Sequence, residues 1–141
     1  MYDSLNINLN SKHRLAICRP RGIIDGYFTT QLLNFLLAVE EVCDPFNRVL
    51  DLTLAAEIPL TTSEIQDYAD ARRQATAHLP QFSTAIIAPR PDAEATARIF
   101  AALMKDSKIE VDIFPNATSA AEWLHVPEEL IRSQSSPPEP R

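Results

Sequence analysis

The chain has 141 residues, 45% of them hydrophobic and 23% charged, which suits one folded domain with its own core and excludes a disordered chain. Its formal net charge of −6 leaves no general electrostatic reason to bind nucleic acid, whose phosphates are met by lysine and arginine. No stretch approaches the roughly 20 apolar residues of a membrane span, and residues 1–14 lack the basic start and apolar run of a signal peptide, so a cytoplasmic protein without membrane insertion is expected.

Leu5, Ile7 and Leu9 alternate with Asn6, Asn8 and Asn10, the period of two of an edge strand with one wet face. Leu15-Ala16-Ile17-Cys18 is apolar at every position and belongs nearer the sheet centre. From Tyr27 to Cys43 the period lengthens, with Phe28, Leu32, Phe35, Leu36, Val39 and Cys43 on one helical face. Leu33 and Leu37 widen that face and mark a candidate interface with a partner.

Val49-Leu50-Asp51-Leu52 reads as a strand, and Ala55 to Leu60 as a connection. Thr61-Thr62-Ser63 opens a helix running to about His78, with capping-box spacing in either Thr61 and Glu64 or Ser63 and Gln66. Ala85-Ile86-Ile87-Ala88 is the next central strand. Asp92 to Lys105 is helical, with Thr96, Ile99, Phe100, Leu103 and Met104 on one side, and Ile109, Val111 and Ile113 alternate with acids in a half-wet strand. A short helix from about Ser119 carries Trp123 and Leu124 inward.

The order ββαβαβαβα predicts an α/β fold: a single mixed, mainly parallel five-stranded sheet packed with about four helices. Residues 1–131 form the expected domain, and 132–141, with Pro137, Pro138 and Pro140, a disordered tail. Cys18 and Cys43 read as buried small hydrophobes, and the pair Arg72-Arg73 as a solvated helix face.

Only Gly22 and Gly26 supply glycine, so neither a dinucleotide fingerprint nor a phosphate loop can be written in the chain. His13, His78 and His125 have no metal-spaced partner and no serine elbow. The reading is therefore of a non-enzyme with no catalytic residue, no metal and no cofactor. Asp51, near the C-terminal end of a central strand, is the exception to weigh: a carboxylate there is a candidate receiver-like phosphoacceptor.

Asp51-Leu52-Thr53, the Thr61-Thr62-Ser63 helix start, Ala85 to Pro89, Val111 to Pro115 and Ala120-Ala121-Glu122-Trp123-Leu124 together resemble the anti-sigma-factor antagonist proteins, the STAS-like or SpoIIAA-like domains of bacteria. The likeness spans about residues 5 to 125. It implies a STAS-like fold and a regulatory, protein-interaction role. The partner would be a kinase, an anti-sigma factor or another copy of the chain as a homodimer. It also implies a phospho-switch hydroxyl at Thr61, Thr62 or Ser63, where a helix cap is the plainer job. A carrier of a small apolar ligand such as a lipid, held between helices and sheet, is the competing reading.

Overall fold

The N-terminal alternation becomes β1 (Ile7–Asn10), which folds back on β2 (Leu15–Cys18) as an antiparallel pair with Ile7 opposite Cys18. A computed structural model describes residues 5–135 of the chain. The main sheet continues through β4 (Asn47–Asp51), β6 (Phe82–Ile87) and β7 (Ile109–Phe114), each parallel to its neighbour, in the order β1-β2-β4-β6-β7. Strand order follows chain order, so right-handed crossovers place the connecting helices on one face of the sheet. These are α1 (Gly26–Val42), α2 (Thr62–Thr76) and α3 (Pro91–Leu103).

Both faces of the central strands are covered, and most of the residues they bury are apolar. Leu15, Ile17, Val49, Ala85 and Ile87 pack beneath Ala120, Ala121 and Leu124 of α4 (Ala117–Leu124) and Ile131 of α5 (Glu128–Ser135). Cys18 and Ile86 point the other way, toward Phe28 and Leu32 of α1 and Ala93 and Ala97 of α3. The expected α/β class, with its five-stranded, mainly parallel sheet, is the observed one.

Four details differ from the reading of the sequence. Ala55–Glu57, expected as a connection, is β5, and it pairs in parallel with β3 (Gly22–Ile23) in a second, two-stranded sheet. Gly22 allows this by taking φ +79, a left-handed conformation that a side chain would resist.

The second difference is α5, which continues the chain as helix through 135 and so takes in the first four residues of the expected tail, 132–135. Its first turn carries Glu128 and Glu129 and its last turn Arg132, charges that suit the helix dipole, and Ile131 is fully buried. The remainder of the expected tail, 136–141, lies outside the described residues.

Cys43 is exposed rather than buried, because α1 runs on past the core and ends with Val42 82% exposed. Arg72, read as half of a solvated pair, is only 1% exposed. It occupies the buried phase of α2 with Ile65, Ala69 and Thr76. Its neighbour Arg73 donates to the carbonyl of Leu103, freed at the C-terminal end of α3, and to that of Lys105 just beyond it.

Candidate functional site

Asp51 ends β4 at the C-terminal rim of the parallel strands, as its position predicts, but it is 2% exposed. Arg19 Nε donates to its Oδ2 at 3.0 Å, while the Thr53 amide and hydroxyl donate to Oδ1. Arg19 also donates through Nη2 to the Ile131 carbonyl, 2.9 Å away, which ties the ends of β2 and β4 to α5. A phosphoacceptor must present an oxygen to its donor; both oxygens of Asp51 are engaged inside the protein. The geometry describes a structural ion pair.

Thr61, Thr62 and Ser63 are exposed at the start of α2. Of the two possible capping boxes, the chain uses Thr61 with Glu64: the Thr61 hydroxyl accepts from the Glu64 amide at 3.0 Å, and the Glu64 carboxylate accepts from the Thr61 amide at 2.9 Å. Glu64 also lies against Gly26 at the start of α1, where an added Cβ would come within 2.6 Å of its Oε2. Beside this turn is an open groove containing Asp25, Tyr27, Leu33 and Asp67. Leu33 is half-buried there, and Leu37 lies one helical turn further on, more exposed.

Between the sheet and α1–α3 lies a cavity of about 130 Å³. Its walls are mostly apolar. Phe28, Leu32 and Leu36 come from α1, Ile65 from α2, and Ala97 and Phe100 from α3, while Ile24, Leu52, Ile58 and Leu60 line the end near the C-terminal rim of the strands. The opposite end is charged. Arg48 enters from β4 and Arg72 from α2, beside Thr84, the register partner of Arg48 on β6.

Both arginines share one carboxylate. Arg72 holds Glu40 of α1 through two bonds, Nη1 to Oε1 at 3.1 Å and Nη2 to Oε2 at 2.6 Å, and Arg48 Nη2 reaches the same Oε2 at 2.7 Å. The Arg48 guanidinium also lies over the Phe82 ring, 4.5 Å from its centroid. Burial pushes the Glu40 carboxyl up, but the hydrogen bonds and charges of Arg72 and then Arg48 outweigh it and hold the group below its ordinary value. Burial lowers Arg48, with Glu40 opposing, and a guanidinium stays protonated in such a setting. Tyr68 lines both the cavity and the outer groove; burial of its phenol pushes it up to about 12.

None of Glu40, Arg48, Arg72 or Tyr68 was singled out as a site residue from the sequence. The signal was present in α2, where Ile65, Ala69, Arg72 and Thr76 follow i, i+4, i+7 and i+11, putting the arginine on the apolar stripe.

No protein-family model matches the chain, and no curated protein is similar to it in sequence. Among the described residues, no group of three His, Cys, Asp or Glu side chains is arranged to hold a metal ion, and no helix is long and apolar enough to cross a membrane.

Proposed function

We propose that the protein is a non-enzymatic binding module that holds a small apolar molecule in the cavity between its sheet and α1–α3. The cavity itself carries this reading: at about 130 Å³ it is a space between sheet and helices with mostly aliphatic and aromatic walls. Well-packed domains leave few voids larger than a water, and an apolar cavity of about 150 Å³ is known to stay dry and admit benzene. Size narrows the ligand to about that scale, well short of a long-chain lipid.

Benzene titrated into the purified protein should raise its melting temperature and perturb the NMR signals of Leu32 and Phe100. Ala97→Leu, which extends a side chain into the space from α3, should abolish both effects. Absence of any benzene response in the folded wild-type protein would overturn the reading.

A second reading, the regulatory interaction module that the resemblance implies, is supported by a different place. Thr62 and Ser63 stand exposed beside a groove in which Tyr27 is 72% exposed. A partner docking there would meet Asp25, Glu64 and Asp67 with positive charge. Self-association seen by sedimentation velocity and lost in Tyr27→Glu would support a homodimer through this groove; a monomer unaffected by the change would remove that form of it.

A further inference from the structure

The charged end of the cavity is not balanced. Arg48 and Arg72 contribute two positive charges and Glu40 one negative, and Glu40, Arg72 and Tyr68 are the groups whose charges act on Arg48. Tyr68 is neutral near pH 7, its phenol being pushed up to about 12. One positive charge is therefore left over in a region where Arg72 is 1% and Arg48 9% exposed. Buried charge in a poorly polarisable interior is costly unless an opposite charge meets it.

A guanidinium offers five N–H groups, and Arg48 commits one nitrogen, Nη2, to Glu40. Arg48 and Arg72 both line the cavity, with Thr84 beside them, while Leu52, Ile58 and Leu60 line its far end. The space is apolar over most of its length, with charged residues at one end.

Resting on the ligand reading of this cavity, we infer that its ligand is a small monocarboxylate. An apolar body of about the size of benzene fills the aliphatic end, and one carboxylate is received by Arg48 and Arg72. A single negative charge matches the single excess positive one. A doubly charged phosphate would bring a second charge that nothing in the cluster neutralises.

Benzoate and its neutral isostere benzamide separate the two levels of the argument in calorimetric titrations of the wild-type protein near neutral pH. Benzoate should bind about tenfold or more tightly than benzamide, because charge-assisted bonds to arginine are the stronger kind. Arg72→Met, checked for folding by circular dichroism, should bring the two probes to within about threefold, and Ala97→Leu should abolish both. Arg48→Met offers the same comparison should Arg72→Met not fold. Equal affinities in the wild type would overturn the carboxylate inference and leave the apolar cavity standing. Binding of neither probe, with no response to benzene, would overturn both.

Discussion

Arg19 Nε donates to Asp51 Oδ2 at 3.0 Å, joining the C-terminal ends of β2 and β4 where neither side chain reaches solvent. The same guanidinium holds the Ile131 carbonyl, so one ion pair fastens two strands and a helix that lies far away in sequence. Removing one partner of a buried pair leaves the other charged and desolvated. Asp51→Ala should therefore cost about 3 kcal/mol or more of unfolding free energy in urea denaturation. A loss under about 1 kcal/mol would fit an exposed pair and contradict the burial described.

Ile131 supplies the second prediction. It is fully buried against the face of the sheet that carries Leu15, Ile17 and Val49. Ile131→Ala should destabilise by about 2–5 kcal/mol, the range for truncating a large aliphatic in a packed core. Leu130→Ala, beside it on α5 but only half-buried, should cost less. Melting curves of the two variants check the ordering; equal small shifts would mean that α5 does not dock.

Sheet strands and helices were legible because their periods are strong: Leu15 to Cys18 is apolar throughout, and Ile109, Val111 and Ile113 alternate with acids. The Thr61 and Glu64 capping box was legible for the same local reason, since both partners lie within one turn. What escaped were features decided by long-range packing. Ala55–Glu57 has little strand character of its own and becomes β5 because Gly22–Ile23 lies alongside. Arg72 was read by its charge, although its position on the stripe of Ile65 and Ala69 predicted burial; only Glu40, 32 residues away, makes that burial tolerable. Asp51 was placed correctly at the rim, but its partner Arg19 belongs to another strand and leaves no mark in local sequence.

The two cysteines should behave differently. Cys43 is exposed, whereas Cys18 is buried, its Sγ donates to the Leu5 carbonyl, and burial pushes its thiol up to about 12. A thiol reagent near pH 8 should modify one cysteine in the native protein and the second only after denaturation. Two fast-reacting thiols would show that the β2 end opens readily.

The alkaline limb of stability follows from the same groups. Cys18 is raised from 9.0 to about 12 and Tyr68 from 10.0 to about 12, so the fold favours both neutral forms. Their contribution is fully present below the unfolded values and is lost as pH rises from there through about 12. Melting temperature should accordingly fall as pH is raised above 9.0, and Cys18→Ala should flatten part of that fall. A curve of unchanged slope in the variant would remove Cys18 from the account.

Glu40 controls the acid limb. Its folded value is depressed below the ordinary 4.5, so it contributes stability that is present above the unfolded value and is lost as pH falls through the depressed one. Protonation there leaves Arg48 and Arg72 facing each other with no carboxylate between them. Glu40→Gln should reproduce this at neutral pH, costing about 3 kcal/mol, and should flatten the acid dependence of the urea midpoint relative to wild type. The same variant tests the charge count at the cavity. With the native carboxylate gone the excess charge doubles, and a bound carboxylate then replaces what was removed. Saturating benzoate should therefore raise the melting temperature of Glu40→Gln by more than it raises that of the wild type, while benzamide should not discriminate between them. An equal benzoate response in both proteins would separate Glu40 from the ligand's charge and confine it to holding α1, α2 and β4 together.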